Sequence, residues 1–162
     1  MDYFLRNSLS RVCSECELGG GCCIEARPPL TEARIKILLA NGVNKEQIEF
    51  GKYKRLKLKP DGFCVLFENG GCGVHSFKPE TCVAGPFTFD LSGSILQIYI
   101  KKKSICPLAG LLKENREIYN QYFDLAVSKI VDLVNALPKE ELAEILKIDE
   151  PETELVAEIE LK

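Results

Sequence analysis

The chain has 162 residues, of which 46% are hydrophobic and 28% are charged, and its formal net charge is −3. A chain of this length can bury a hydrophobic core without disulfides, so its eight cysteines are not needed to compensate for a small core. The slightly acidic balance argues against a nucleic-acid protein whose whole surface is basic.

The N-terminal sequence lacks the basic region and the apolar stretch of a signal peptide, and no run is long enough to span a bilayer. We therefore expect a cytoplasmic protein without membrane contact. Thiols stay reduced in that compartment, so a dense cysteine set indicates metal binding or catalysis. Disulfides remain an alternative, because intracellular proteins of hyperthermophiles are rich in them.

In chain order, residues 13–23 predict a cysteine- and glycine-rich loop. A helix capped by Thr31 and running to about Ala40 follows, with its stop at Asn41-Gly42. Asn44 and Gln47 have the spacing of a capping box, which predicts a second short helix.

The middle of the chain predicts strands joined by tight turns. Asn69-Gly70-Gly71 and Ser92-Gly93-Ser94 are hairpin signals. Pro79-Glu80-Thr81 predicts a short helical turn between the two hairpins. The strands are expected over Tyr53–Lys59, Phe63–Phe67, Phe87–Leu91 and Ile95–Ile100.

The last third predicts helices. Apolar residues recur at helical spacing from Leu108 to Leu137, which predicts one long helix that ends or kinks at Pro138. A further helix follows, with Leu142, Ile145 and Leu146 as its apolar residues.

The acidic tail beyond Pro151 is either loose or a strand, since its apolar residues alternate. The predicted fold class is α+β, with small antiparallel β-hairpins, a long C-terminal helix and cysteine-rich loops gathered around a metal site. We expect residues 1–150 to form a single metal-binding domain and residues 151–162 to form the acidic tail.

The cysteines are the main functional signal, and we predict all eight as metal ligands. Cys13-x2-Cys16 is a common chelating unit, because two intervening residues let both sulfurs face one metal. Glycines 19–21 allow a tight loop whose N–H groups can approach the sulfurs. The predicted ligands are Cys13, Cys16, Cys22, Cys23, Cys64, Cys72, Cys82 and Cys106.

The later cysteines are spread along the chain. Cys64 lies in a predicted strand and Cys72 just past the hairpin turn, so the turn can bring the two together. Cys82 follows the turn at Pro79, and Cys106 precedes a proline, as some ferredoxin cysteines do. Burial as a small apolar residue remains an alternative for Cys64.

These motifs together resemble a known family. The ordered pattern is Cys13-x2-Cys16-x5-Cys22-Cys23, then Phe63-Cys64-x-Leu66, then Cys72-x-Val74-His75-x2-Lys78-Pro79-x2-Cys82. It resembles the YkgJ-type cysteine-cluster family of zinc- or iron-chelating domains over about residues 13–107. The resemblance implies metal or iron–sulfur binding.

Thiolates suit both zinc and iron–sulfur clusters. Only one C-x2-C knuckle is present, and ligands scattered around a glycine-rich loop favour an iron–sulfur cluster of the [4Fe-4S] type over zinc. His75 is the only histidine, and we expect a structural hydrogen-bonding role more often than ligation. Eight thiols either fill two sites or leave spares beside one.

No enzyme motif is present, and we expect a protein that carries electrons or a cluster, or serves as a subunit of a larger complex. The alternative is an interaction module whose fold is stabilised by bound zinc. The basic stretch from Lys52 to Lys59 and the run Lys101-Lys102-Lys103 are interpreted as solvated strand edges, so we expect a protein partner rather than nucleic acid.

Overall fold

The computed structural model describes residues 26–68, 71–148 and 152–162. Helices combine with antiparallel strands in these ranges, which confirms the α+β class. The helices are α1 (Glu32–Ala40), α2 (Glu80–Ala84), α3 (Pro107–Glu114), α4 (Arg116–Ala136) and α5 (Lys139–Ile145). The strands are β1 (Ile48–Phe50), β2 (Lys54–Leu56), β3 (Phe67–Glu68), β4 (Gly71–Cys72), β5 (Phe87–Ser92), β6 (Ile95–Lys101) and β7 (Thr153–Glu160).

Both predicted helix caps near the start of this region are confirmed. Thr31 is extended, with φ −80° and ψ 161°, and its Oγ1 accepts a hydrogen bond from the Arg34 N–H at 3.0 Å. Asn44 and Gln47 form a complete capping box around a short 3₁₀ helix. Each cap satisfies N–H groups that the first helical turn leaves without an intrahelical partner.

The first sheet is a two-stranded hairpin. The strand expected over Tyr53–Lys59 is only the three residues of β2, and it pairs antiparallel with β1, which the sequence did not predict. The chain before α1 joins this hairpin, because Leu30 donates its N–H to the carbonyl of Lys54 at 2.8 Å. Leu30, Ile48 and Leu56 then pack with α1 in a small apolar cluster.

The second sheet is an antiparallel pair, β3 and β4, which confirms the predicted hairpin and corrects its length, while Asn69 and Gly70 lie outside the described residues. The predicted strand over Phe63–Phe67 is mostly a turn, since Phe67 donates its N–H to the carbonyl of Cys64 at 2.9 Å. Only β3 and β4, of two residues each, form the ladder. The reason is that residues 57–64 already pair with one another, so the chain must turn before it can start a new ladder.

The third sheet has the order β5-β6-β7 and contains both strands predicted from Phe87 to Ile100. The alternating tail is a strand rather than loose, because β7 pairs along β6 from Ile95↔Glu160 to Lys101↔Thr153. One irregularity falls between Ile98 and Tyr99. Residues 153–160 therefore complete the sheet of which β6 is the centre.

The expectation of a single helix from Leu108 to Leu137 is wrong at one residue. Asn115 is extended, with φ −130° and ψ 103°, and separates α3 from α4. Its side-chain oxygen accepts a hydrogen bond from the Ile118 N–H at 3.2 Å. Asparagine competes with helical backbone in this way and so begins a new helix where the apolar spacing alone predicts continuity.

The largest apolar cluster lies between the third sheet and the helices. Leu96, Ile98 and Ile100 of β6 are fully buried against α3 and α4. Phe87 packs edge-on against Tyr119 and Phe123, with ring centroids 5.5 and 5.7 Å apart. Each fully buried apolar side chain of this kind contributes about 1.5–3 kcal/mol to folding.

The C-terminal helix α5 is attached to the first hairpin by a nearly buried ion pair. Lys54 Nζ lies 2.8 and 2.7 Å from the two carboxylate oxygens of Glu141, and the Lys54 N–H also donates to Glu141 at 3.0 Å. The two side chains are 14% and 12% exposed. Tyr53 packs beside Leu142 in an adjoining cluster.

Candidate metal centre

Two of the predicted ligands meet on the short hairpin. Cys64 forms an antiparallel bridge with Leu58, and the turn that follows returns the chain so that Phe67 lies opposite Cys72. Both cysteines pack in the apolar cluster that contains Leu56 and Val74. The prediction that the hairpin turn brings Cys64 and Cys72 together is confirmed.

The surroundings of Cys64 act on its thiol in opposite directions. Cys64 is 7% exposed, and this burial raises the pKa of its thiol, as does the nearby sulfur of Cys72. A hydrogen bond from the Leu66 backbone N–H and the positive charge of Lys59 lower the same pKa but do not outweigh burial. The N–H and the cation are the groups that stabilise a thiolate once a metal displaces the proton.

The Lys59 ammonium group is held at the hairpin from several sides. Its Nζ donates to the carbonyl of Phe67 at 2.9 Å. It lies 6.0 and 5.8 Å from the ring centroids of Phe63 and Phe67, which stack at 4.6 Å. Asp61 is a looser partner at 3.8 Å, and its other oxygen accepts the Phe63 N–H at 3.0 Å.

Gly73 allows the chain after Cys72 to approach the preceding strand. Its N–H donates to the carbonyl of Leu66 at 2.8 Å. A Cβ atom at this position would lie 2.8 Å from Glu68 Oε1 and 3.1 Å from the Leu66 carbonyl oxygen. A larger residue would require the Glu68 carboxylate to move and the Leu66 carbonyl to shift slightly.

The segment between Cys72 and Cys82 is fixed by an arginine that the sequence analysis did not single out. Arg34 of α1 donates to the carbonyl of Phe77 at 3.2 Å and through Nε to Glu80 at 3.0 Å. Glu80 is 7% exposed, and its Oε2 has no hydrogen-bond partner. The sequence offered no signal for this pair, because its members are separated by 46 positions.

The other two described cysteines lie elsewhere. Cys82 is exposed on α2, the short helix predicted after Pro79. Cys106 is half-buried, caps α3 and packs against the cluster of the third sheet. His75 begins a 3₁₀ turn. Cys13, Cys16, Cys22 and Cys23 lie outside the described residues.

Within residues 26–68, 71–148 and 152–162, no three Cys, His, Asp or Glu side chains are grouped closely enough to hold a metal ion. Of the four thiolates that a tetrahedral site needs, the described residues bring two together, those of Cys64 and Cys72. The donors present are soft thiols, which fit zinc and iron–sulfur clusters and do not fit magnesium or calcium.

The basic residues of the two lysine-rich stretches are mostly engaged in ion pairs with this chain's own carboxylates. Arg55 pairs with Glu49 at 2.8 Å, and Lys102 pairs with Glu152 at 3.4 Å. Together with the Lys54–Glu141 pair, these contacts neutralise much of the positive charge that the sequence places on the strands.

Comparison with known proteins identifies the domain. Residues 12–107 match the CxxCxxCC family, described as a "putative zinc- or iron-chelating domain". The chain belongs to this family. The match confirms the resemblance drawn from the cysteine spacing, and its span includes all eight cysteines. No curated protein and no solved structure matches the chain.

Membership of the CxxCxxCC family supports metal binding and leaves zinc and iron equally open. The family span contains the first two hairpins, α1, α2, β5 and β6, and it ends at the first residue of α3. The helices that cover the third sheet and the strand β7 lie beyond it. Of the helices described, none has both the length and the apolar character needed to cross a membrane.

Proposed function

We propose that this CxxCxxCC domain binds an iron–sulfur cluster of the [4Fe-4S] type through cysteine thiolates. The observation that carries the proposal is the pair formed by buried Cys64 and half-buried Cys72, with a backbone N–H and an ammonium group beside it. Thiolates, N–H donors to sulfur and a largely dry environment are the features by which proteins hold such clusters and set their potentials.

The Cys64–Cys72 pair supplies half of the four thiolates that a cubane cluster requires. We propose that Cys13 and Cys16 supply the other half, since their C-x2-C spacing suits two sulfurs on one metal group. Cys22, Cys23, Cys82 and Cys106 are then further ligands, either of the same group or of a second site. This assignment uses only cysteines within the family span.

Such a cluster would supply reversible one-electron chemistry. The protein's own residues have three tasks at the site. Leu66 N–H stabilises negative charge on the Cys64 sulfur, Lys59 provides a compensating positive charge, and Val74 and Leu66 keep water away from the hairpin. These tasks suit an electron or cluster carrier, or a subunit of a larger complex.

The second candidate is an interaction module whose fold is stabilised by bound zinc, and one observation favours it. The cysteine-bearing hairpin of β3 and β4 has strands of only two residues, and the neighbouring hairpin of β1 and β2 has strands of three. Short ladders of this kind have little stability of their own, and structural zinc commonly supplies what they lack.

Anaerobic purification followed by iron, zinc and acid-labile sulfide analysis separates the two candidates. The iron–sulfur proposal expects brown protein whose visible absorption disappears on air exposure or with an iron chelator. Colourless protein with stoichiometric zinc would establish the second candidate instead. Complete pairing of the eight thiols as disulfides would reject both.

The ligand assignment is tested by the double variant Cys13→Ser, Cys16→Ser. We expect it to lose the metal while the helical circular dichroism signal stays close to that of the parent. Full metal content in this variant would remove these two residues from the site. Because the proposed chemistry needs reduced thiols, we also propose a cytoplasmic location and a protein partner that exchanges electrons or clusters.

A further inference from the structure

The environment of Lys59 extends the proposed function to a residue outside the ligand set. Lys59 is five positions before Cys64, and its backbone N–H donates to the carbonyl of Phe63 at 2.8 Å, which closes the loop before the Cys64 bridge. Its side chain extends over the rings of Phe63 and Phe67 and donates to the Phe67 carbonyl. The residue therefore contacts the site through both its backbone and its charge.

The position of the ammonium group is set by the hairpin that carries the two thiols. The carbonyl that accepts its hydrogen bond belongs to Phe67. Phe67 lies opposite Cys72, and its own N–H is bonded to the carbonyl of Cys64. The ammonium group is thus connected through one residue to both cysteine backbones.

The charge of Lys59 is only partly compensated by other groups. Among the described residues its carboxylate partner is Asp61, at 3.8 Å, and that side chain is 59% exposed. Exposed ion pairs of this length are weak. The stacked rings of Phe63 and Phe67 shield the ammonium group on one side, and a less hydrated cation acts more strongly on a nearby anion.

Metal–thiolate groups carry excess negative charge, because each ligand contributes a full charge that the metal does not fully neutralise. A cation fixed beside two of these ligands stabilises the loaded site relative to the empty one. Lys59 also holds the loop through its hydrogen bond to Phe67, and charge variants separate this structural role from the effect of the charge on metal affinity.

We propose that Lys59 is a positioning residue whose fixed positive charge strengthens metal binding at the Cys64–Cys72 hairpin, with Asp61 acting against it. This inference rests on the proposed metal-binding function. It goes further by assigning opposite effects to two charged residues that are not ligands.

The test compares charge variants in metal competition titrations with Co²⁺ and Zn²⁺ against a chelator. Lys59→Met keeps the aliphatic stem and removes the charge, and we expect metal affinity to fall by about tenfold or more, as for other residues adjacent to metal ligands. Lys59→Arg should restore most of the affinity. Lys57→Met is the matched control, an exposed lysine two positions earlier, and should bind like the parent.

Asp61→Asn gives the sharpest result, because it removes the opposing charge and keeps the oxygen that accepts the Phe63 N–H. We expect its affinity to rise about two- to fivefold, the range of an exposed ion pair. The difference between parent and Lys59→Met should also shrink at 1 M salt, where the screening length falls to about 3 Å.

The outcomes are distinguishable. Equal affinities for parent, Lys59→Met and Asp61→Asn overturn the role of Lys59 while metal binding stands. Loss of affinity in both Lys59→Met and Asp61→Asn, without rescue by Lys59→Arg, assigns both residues to loop structure alone. A parent protein that binds neither metal nor cluster overturns the proposed function together with this inference. Far-UV circular dichroism of each variant verifies that it is folded.

Discussion

The hairpin region, residues 26–77, which contains Cys64 and Cys72, and the sheet-and-helix region, residues 84–161, differ in how they are held together. Strands in the first have two or three residues, and its ladders are hairpins. The second has strands of six, seven and eight residues covered by a 21-residue helix. Both regions bury apolar side chains, but the first relies on a smaller cluster around Leu30, Leu38 and Leu56 and on ladders that are too short to be stable alone.

The comparison indicates a division between the metal site and its support. α2 packs against α4, and α5 is attached to the first hairpin by the Lys54–Glu141 pair, so the larger region supports the smaller one from two sides. If this division is correct, substitutions at the thiols should change metal content, and substitutions in the large core should change stability. Four predictions test this division.

The largest effect is expected from the double variant Cys64→Ala, Cys72→Ala. Removing both sulfurs of the described pair should reduce bound metal to background while helices α3 to α5 keep their circular dichroism signal. Metal analysis and far-UV spectra of the same preparation provide both measurements. Complete unfolding of this variant would mean that the metal organises the whole chain and that the two regions are not separate in stability.

The second prediction concerns Phe87, which is 2% exposed and packs between Tyr119 and Phe123. Phe87→Ala should lower the free energy of unfolding by about 3–5 kcal/mol, because it leaves a cavity that the sheet and helices cannot close. Phe50→Ala is the matched control, since Phe50 is 57% exposed, and should change stability by less than about 0.5 kcal/mol. Equal denaturant midpoints for the two variants would contradict the assignment of the main core.

The third prediction tests the connection between the regions. Glu141→Gln leaves the nearly buried Lys54 ammonium group with only the exposed Glu32 carboxylate at 3.5 Å, and it should destabilise the protein by about 1–3 kcal/mol. Glu144→Gln on the same helix is the control, because its partners Lys52 and Lys147 are 81% and 68% exposed, and it should melt close to the parent. Identical melting of both variants would show that α5 is attached by apolar contacts alone.

The smallest effect is a pH dependence of the metal-free protein. Burial raises the pKa of Cys64 above its ordinary value of 9.0, so the unfolded chain loses this proton at a lower pH than the folded one. The stability that comes from the neutral thiol is therefore present below pH 9 and is lost as the pH rises through the folded pKa. Urea denaturation from pH 7 to 10 should show a steeper decline for the parent than for Cys64→Ala, and parallel curves would contradict the burial effect.

Local chemistry made much of the fold predictable. Thr31 and Asn44 identify their helix starts through side-chain oxygens, and the turn signal near Gly93 sets the hairpin of β5 and β6. The break at Asn115 was missed because the apolar residues on both sides of it have the spacing of one continuous helix. A single asparagine within that pattern was not interpreted as a helix start. Strand β1 was missed because its three residues carry no periodicity of their own and are defined only by pairing with β2.

The site was predictable in kind but not in arrangement. Cysteine spacing indicates chelation, and the turn at Gly70 indicates that Cys64 and Cys72 meet. The roles of Lys59, Gly73 and the Arg34–Glu80 pair depend on contacts that no spacing rule contains. Lys59 was interpreted as part of a solvated basic stretch, and only its position over the hairpin distinguishes it from Lys57.

The partner of β6 in the third sheet has a consequence for how the protein is made. Lys101 of β6 pairs with Thr153, so the ribosome must synthesise all of α3, α4 and α5 before the central strand has a neighbour on that side. Until then β6 has an open edge, which invites pairing with other chains. A protein trimmed to the family span of residues 12–107 would keep that open edge permanently. We expect such a fragment to aggregate even though it carries every cysteine.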